Sequence, residues 1–268
     1  MKDLLNRART QLRHEPIEQR VRANLGADTI VDSTRAMLVW EPRRVVASYA
    51  VPVEDIRAGL SAAPAANGRV AGVLHPGIPF SVHTTPGEPV SIDDRVGAGF
   101  RFADDDLAGY VALDFDAFDE WYEEDEPIAG HPREPFHRVD IRRSARPVRI
   151  EIDGDVVAET ASARLLFETS LPLRFYIPRE DIRAELHRSP RRTYCPYKGH
   201  ASSWSVEAGG RLREDIGWCY EEPLPDAAAI TGLVAFWDER VDVFLDGERR
   251  ERPGGLISEA LLDEFAVQ

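Results

Sequence analysis

The stretch from Thr193 to Trp204 holds a thiol, an amine, an imidazole, two phenols and an indole within twelve residues. Cys195 could act as a nucleophile if Lys198 and His200 favour its thiolate, which is the reactive form of the side chain. The alternative is a buried cysteine that packs as a small hydrophobic residue. We interpret this stretch as the working part of the protein, although its residue types do not define one reaction.

Lys198 draws attention because the chain contains one other lysine, Lys2, in a total of 33 basic residues. An ammonium is a compact charge whose pKa shifts readily on burial, whereas an arginine stays charged. Lys198 could therefore bind an anionic ligand or form a Schiff base, and the alternative is an ordinary surface lysine. His200 could serve as a general base, or it could make only a structural hydrogen bond.

Several aromatic residues near this stretch could line a ligand pocket with their polar tips facing inward. The alternative is that they form the core of a small β domain, since large aromatic side chains dominate such cores. The candidate catalytic residues are Cys195 and Lys198. The candidate residues for binding an anionic or planar ligand are Arg174, Tyr176, Tyr197, His200, Trp204 and Trp218.

The composition is that of a soluble folded protein, with 43% hydrophobic and 30% charged residues in a chain of 268. A formal net charge of -14 repels phosphate backbones and argues against nucleic-acid binding. We find no signal-peptide core and no span of membrane length, so we expect a cytoplasmic protein without membrane contact. Two cysteines are too few for a four-thiolate zinc site, and we expect neither a metal nor a cofactor.

The chain contains an internal repeat. Residues 21–41 match residues 148–168 without gaps, residues 49–60 match 176–186 with one residue of slippage, and residues 109–112 match 232–235. Because the three blocks recur in the same order, we interpret the chain as two copies of one domain. In this alignment Tyr49 is the counterpart of Tyr176.

The reactive stretch differs between the copies. Its first-copy counterpart is aligned as residues 78–83, which places His83 against His200 and Ser81 against Lys198. The scaffold therefore occurs twice and the reactive groups once, which favours a site in the second copy. The shared histidine instead favours a structural hydrogen bond for His200, and Glu168, which has a twin in Glu41, is interpreted as structural.

Alternating apolar and polar residues predict short strands in both copies. Pro178 can open a helix at its first position, so we predict one short helix in each copy, with further short helices at the two ends of the chain. The fold class is mainly β (α+β). The predicted segments are a helical extension over 1–20, a degenerate first domain over 21–125, a linker over 126–147, a second domain over 148–253 and a helix over 254–268.

The second copy resembles the bacterial domain-of-unknown-function family 427, which also carries a nucleotidyltransferase-like label. The residues that carry the resemblance are RFYIP at 174–178, TYCPYKG at 193–199, Trp204 and WCY at 218–220. The resemblance implies tandem β-tent-like domains and no established activity. The label itself lacks support, because the chain has no Gly-Ser pair with paired aspartates for metal-dependent nucleotidyl transfer. A small-molecule ligand, an enzyme with Cys195 as nucleophile and a protein-interaction module all remain open.

Overall fold

The computed structural model describes residues 7–64, 72–255 and 258. The chain divides into two compact units, Met1–Glu134 and Pro135–Gln268. In the described residues each unit is built from two antiparallel sheets, one of seven strands and one of four. The prediction of a mainly β chain in two parts is therefore confirmed.

The first unit contains the strands β1 (Arg13–Pro16), β2 (Val21–Leu25), β3 (Asp28–Ser33), β4 (Met37–Trp40), β5 (Ser48–Pro52), β6 (Leu60–Ala62), β7 (Gly87–Ile92), β8 (Arg95–Phe102), β9 (Tyr110–Leu113), β10 (Glu120–Glu123) and β11 (Glu126–Ile128). The second unit contains β12 (Val139–Arg143), β13 (Val148–Ile152), β14 (Asp155–Thr160), β15 (Arg164–Glu168), β16 (Arg174–Ile177), β17 (Leu186–Cys195), β18 (Gly199–Ala208), β19 (Arg211–Cys219), β20 (Val234–Phe236), β21 (Asp242–Leu245) and β22 (Glu248–Arg249).

The seven-stranded sheets have the same topology in both units. Their strand orders are β1-β4-β5-β9-β8-β7-β6 and β12-β15-β16-β20-β19-β18-β17, which correspond position by position. The four-stranded sheets, β11-β10-β2-β3 and β14-β13-β21-β22, hold corresponding strands as well. The sequence repeat therefore corresponds to two units whose strands are connected in the same order.

The prediction of one short helix in each unit is wrong. Val53–Asp55 and Arg179–Asp181 form single 3₁₀ turns, each preceded by a proline. A helix cannot continue there because Ile56 and Ile182, which follow the turns, bridge to strands β3 and β14. Further 3₁₀ segments occur at Asp105–Leu107, Phe115–Ala117 and Pro225–Ile230.

The predicted terminal helices are not supported either. At the N-terminus, residues 7–8 lie in a helical turn, and Arg13–Pro16 forms β1 instead of continuing it. This strand pairs with β4 and satisfies backbone groups that would otherwise lie at a sheet edge. Most of 254–268 lies outside the described residues. The segment 126–147, interpreted from the sequence as a linker, contributes β11 to the first unit and β12 to the second.

Each seven-stranded sheet has two buried faces. In the second unit, one core cluster contains residues of both sheets, among them Phe175, Ile177 and Trp204, and we call this side of the sheet the inner face. A smaller cluster on the opposite side includes Tyr176 and Tyr220 and is covered by the 3₁₀ segment Pro225–Ile230. We call this side the outer face. Strand alternation assigns neighbouring residues to opposite faces.

Candidate functional site

Lys198 and Glu168 form a buried ion pair at the outer face of the second unit. Glu168 is the last residue of β15, and Lys198 lies in the hairpin turn between β17 and β18. The turn is closed by the backbone N–H of Lys198, which donates to the carbonyl of Cys195 at 3.2 Å. Gly199 follows with a φ of 91°, a conformation that favours glycine. The hairpin thus directs the Lys198 ammonium onto the Glu168 carboxylate.

Both members of this pair stay charged. Burial by itself would raise the pKa of Glu168, but Lys198 and His137 hold that pKa below its usual range. Burial would likewise lower the pKa of Lys198, but the Glu168 carboxylate and the Cys195 sulfur raise it. The side chains of Lys198 and Glu168 are 7% and 4% exposed, so the site contains a buried ammonium and a buried carboxylate.

His137 and Tyr197 extend the pair. The Nε2 atom of His137 lies 2.9 Å from the same Glu168 oxygen that receives Lys198. The imidazole stacks on the Tyr197 ring, with centroids 4.1 Å apart and planes inclined by 19°. Tyr197 is buried and His137 is partly exposed. Glu168 is therefore held by one residue from the hairpin turn and one that precedes β12.

Cys195 lies beside the Lys198 ammonium and is partly exposed, whereas Cys219 is fully buried. Burial also raises the pKa of the Cys219 thiol. Cys219 belongs to the core cluster at the inner face, and Cys195 packs against the cluster at the outer face. The two thiols thus lie on opposite sides of the sheet, and Cys195 is the one beside the ion pair.

Two buried phenols lie next to Cys195 on the outer face. Burial raises the pKa of Tyr176 and that of Tyr220, and the charge of the Glu168 carboxylate acts on both hydroxyls in the same direction. The hydroxyl of Tyr176 accepts a hydrogen bond of 3.0 Å from the indole N–H of Trp218. Tyr176 thus lies between the Glu168 pair and Trp218.

Arg174 is buried beside Trp218. Its guanidinium donates two hydrogen bonds of 2.7 Å to the two carboxylate oxygens of Glu239. It lies 5.6 Å from the ring centre of Trp218 and 5.3 Å from that of Trp237, within the range of cation–π contacts. The two indoles are themselves 4.4 Å apart and partly exposed.

Asp238 adds a second carboxyl group beside this arginine, at 3.8 Å. Burial raises the pKa of Asp238 to about 7, while Arg174 opposes the rise and Glu239 adds to it. Arg174 is thus neutralised by a bidentate partner, and a neighbouring carboxyl group titrates close to neutrality.

Two of the predicted site residues lie elsewhere. Trp204 faces the inner side of the sheet, where its ring belongs to the main core cluster. His200 is exposed and makes a tilted contact with the ring of Tyr194, with centroids 4.7 Å apart. The other six predicted residues are the ones that the structure brings to the outer face, namely Arg174, Tyr176, Cys195, Tyr197, Lys198 and Trp218.

Strand register corrects one part of the sequence alignment. In the second unit, Tyr176 pairs with Ala235 on β20. At the equivalent point of the first unit, Ala50 pairs with Ala112 on β9. Ala50 is therefore the counterpart of Tyr176, and the alignment of Tyr49 with Tyr176 is wrong by one residue. The buried hydroxyl at this point belongs to the second unit alone.

The counterpart of Lys198 also changes. The register of β7 with β8 and of β18 with β19 makes Pro89 the counterpart of Ser203. Counting back along the chain from these residues sets Lys198 against Thr84, not against Ser81. The backbone N–H of Thr84 donates to Glu41 at 2.6 Å. A neutral donor in the first unit thus stands where the second unit has an ammonium.

The alignment of His200 with His83 is wrong for the same reason, because the register sets His200 against Pro86. His83 lies 2.7 Å from the Glu41 carboxylate through its Nδ1 atom. The structural hydrogen bond expected of His200 is therefore made by His83 in the first unit, and by His137 in the second. His137 reaches its carboxylate from a different part of the chain.

Sequence reasoning missed four residues of this site: His137, Trp237, Asp238 and Glu239. His137 falls in the segment interpreted as a linker, and no local pattern marks it. The run WDE at 237–239 directly follows β20 and could have drawn attention as an aromatic residue with two acids. Glu168 was noticed and interpreted as structural because of its twin Glu41.

Metal-ligand geometry occurs at one place in the described residues. His14, Asp104 and Asp106 in the first unit have ligand atoms within 4.8 Å of one another. The candidate residues of the second unit do not take part in this group. Within the ranges that the structure describes, none of the helical segments has the length and apolar character needed to cross a bilayer.

Comparison with known proteins bears on the second unit. A search among curated proteins finds no match to the chain. The comparison with protein families matches residues 140–247, a range that runs from β12 to the turn after β21 and holds nearly all of the residues described above. Residues 140–247 match the family described as domain of unknown function DUF427, which confirms the resemblance that the sequence predicts.

Proposed function

We propose that the second unit binds a planar small molecule at the outer face of its seven-stranded sheet, between Cys195 and Trp218. In this proposal Trp218 and Trp237 provide the aromatic surface, and the Tyr176 hydroxyl lies at its base. The Lys198–Glu168 pair holds the hairpin and sets the charge beside Cys195. The protein acts in the cytoplasm on a diffusible ligand.

The observation that carries this proposal is a set of buried polar groups that the fold does not require. Lys198 and Tyr176 are buried in the second unit, where the first unit has Thr84 and Ala50 at the equivalent points. Burying a charge or a hydroxyl costs free energy that an apolar residue does not incur. Because the first unit forms the same sheet without these groups, we attribute them to function.

A planar ligand fits the electrostatics better than an anion. Both buried cations at this face already have internal carboxylate partners, Glu168 for Lys198 and Glu239 for Arg174. The exposed surface next to them consists of the Trp218 and Trp237 rings. Aromatic rings at this spacing favour stacking and edge contacts with a flat partner.

A second candidate function is nucleophilic catalysis by Cys195. The observation in its favour is the position of the Cys195 sulfur, which is partly exposed and lies beside the Lys198 ammonium. His137 supplies an imidazole to the network, and its described contacts are with Glu168 and Tyr197. Binding and nucleophilic attack could occur at the same place on the sheet.

A thermal-shift screen of the full chain against nucleobases, flavins and aromatic carboxylates tests the binding proposal. We expect a planar compound to raise the melting temperature of the wild type and of Trp40→Phe, a matched control in the first unit whose counterpart is Phe167. The shift should be lost in Trp218→Phe, whose counterpart is Phe100. A compound that stabilises Trp218→Phe as much as wild type contradicts the placement of the site.

A further inference from the structure

A second group of polar residues lies on the inner side of the same sheet, away from Cys195 and Lys198. Trp204 on β18 pairs with Arg188 on β17, and the Arg188 guanidinium lies 5.8 Å from the centre of the indole. Arg179, from the 3₁₀ turn after β16, lies 4.2 Å from the same ring centre. Two guanidinium groups thus flank one indole.

The two arginines are accessible to solvent, and a single carboxylate serves both. Arg188 donates to Glu221 at 2.8 Å and to the Ser202 hydroxyl at 3.0 Å. Arg179 lies 3.9 Å from the other oxygen of Glu221. The side chains of Arg179, Arg188 and Glu221 are 40%, 48% and 40% exposed. Two positive charges with one negative charge leave this group with a net positive charge.

The indole N–H of Trp204 is a donor without an acceptor. Its Nε1 atom is buried and has no hydrogen-bond partner among the described residues, although Trp204 is only 8% exposed as a whole. Buried polar groups in proteins nearly always have a partner, so an unmatched donor needs an explanation. The nearby thiol of Cys219 is fully buried, and burial raises its pKa, so it adds no negative charge.

The first unit lacks this arrangement. At the strand pair equivalent to Arg188 and Trp204, it has Ala62 and Val90. The residue after Pro52, which corresponds to Arg179, is Val53. The same sheet therefore forms without either guanidinium or the indole.

We infer that Arg179, Arg188 and Trp204 form a binding site for an oxyanion, either a carboxylate or a phosphate group of a small molecule. Arginine presents a planar fork of donors that matches both groups. The incoming oxyanion displaces Glu221 from the two guanidinium groups and supplies an acceptor near the Trp204 N–H. Glu221 thus occupies the site in competition with the ligand.

The test uses the full-length chain labelled with ¹⁵N, and inorganic phosphate and acetate as separate probes at constant ionic strength. The five tryptophans give five indole signals, and Trp204→Phe identifies the one from Trp204. We expect at least one probe to shift that signal saturably. Saturation by acetate alone identifies a carboxylate ligand, and saturation by phosphate alone identifies a phosphate ligand.

Three variants make the test specific. Arg188→Met should weaken the effective probe by about tenfold or more, because it removes charge-assisted hydrogen bonds. Glu221→Gln should tighten binding several-fold, because it removes the competing carboxylate. Arg192→Met, on the same strand with hydrogen bonds only to nearby carbonyls among its described contacts, should leave the affinity unchanged.

The inference is overturned if neither probe gives a saturable shift, or if Arg188→Met and Glu221→Gln bind as the wild type does. Trp218→Phe should not alter the affinity, because Trp218 lies on the outer face. The affinity of Trp218→Phe for the probe should be unchanged whether or not a planar ligand binds at the outer face. The failure of one proposal therefore does not imply the failure of the other.

Discussion

The carboxylate of Glu168 accepts a hydrogen bond from the ammonium of Lys198, a residue thirty positions later in the chain. The equivalent carboxylate of the first unit, Glu41, is buried as well, but it is satisfied by His83 and by Thr84 and Thr85. Both units therefore bury a glutamate at the end of the same strand. Among the residues that the structure describes, a lysine neutralises this glutamate only in the second unit.

The first prediction concerns the stability that depends on this pair. Lys198→Met leaves the Glu168 carboxylate buried without its cation, which typically costs about 3–5 kcal/mol. Adding Glu168→Gln removes the unpaired charge and should restore at least half of the lost stability. Urea unfolding of the single and double variants measures both effects. A loss of stability in the double variant equal to the sum of the losses in Lys198→Met and Glu168→Gln would argue against direct coupling.

The second prediction concerns the pH range over which the pair stabilises the fold. Because the pKa of Glu168 is lowered from 4.5, its contribution is present above pH 4.5 and is lost as the pH falls through the folded value. Because the pKa of Lys198 is raised from 10.5, its contribution is present below pH 10.5 and is lost as the pH rises further. The stability difference between wild type and the double variant should therefore shrink as the pH falls below 4.5 and as it rises above 10.5. A difference that grows in either direction, measured by urea unfolding, would contradict these pKa shifts.

The third prediction concerns the two thiols. Iodoacetamide should modify Cys195 in the native protein and leave Cys219 unmodified, because Cys219 is fully buried. Lys198→Met should slow the reaction at Cys195, since a neighbouring ammonium stabilises the thiolate. Mass spectrometry of tryptic peptides over time measures both rates. Equal rates at Cys195 in wild type and Lys198→Met would remove support for nucleophilic catalysis.

The fourth prediction concerns Asp238. Its pKa is raised from 3.8 to about 7, so the folded protein keeps a proton that the unfolded chain releases within that range. The contribution of Asp238 to stability therefore falls as the pH rises from about 4 to about 7. Asp238→Asn should gain stability relative to wild type across this range, by on the order of a few kcal/mol at pH 8. A stability difference that is the same at pH 4.5 and pH 8 would contradict the raised pKa.

The fifth prediction concerns Arg174. A lysine cannot reproduce the two parallel hydrogen bonds that the guanidinium donates to Glu239, so Arg174→Lys should destabilise the second unit despite its unchanged charge. The expected loss is about 2–4 kcal/mol, since the interaction is buried. Arg164→Lys on the adjacent strand, where the arginine donates to a backbone carbonyl at the surface, is the control and should have little effect. Thermal unfolding distinguishes the two.

The strands were predictable because they follow local patterns. Val148, Ile150 and Ile152 are buried, and Arg149 and Glu151 between them are partly exposed, as alternation requires. The repeat could also be detected from the sequence, because the buried positions of paired strands recur in the same order. The helices were wrong because the signals at Pro178 and Asp181 are shared by a 3₁₀ turn. Whether that turn continues depends on the pairing of Ile182 with a strand distant in sequence.

The candidate site was predictable only where its residues are close in sequence. Cys195, Tyr197 and Lys198 lie in one hairpin turn, so their proximity follows from the sequence. The contacts of Lys198 with Glu168 and of Arg174 with Glu239 depend on strand order, which local patterns do not define. Trp204 was grouped with the others because closeness in sequence does not show on which face of a strand a side chain lies. Its side chain lies on the opposite side of the sheet.

Binding of a planar ligand at the outer face is tested most directly by a double variant at the two ends of the proposed site. Cys195→Ser replaces the thiol with a hydroxyl, and Trp218→Phe introduces the residue type of its first-unit counterpart Phe100, which the same sheet already accommodates. A planar compound identified by the thermal-shift screen is titrated into each protein, and binding is measured by calorimetry. We expect saturable binding to wild type and to Trp40→Phe, and none to this double variant. Undiminished binding to the double variant would contradict a ligand site between Cys195 and Trp218.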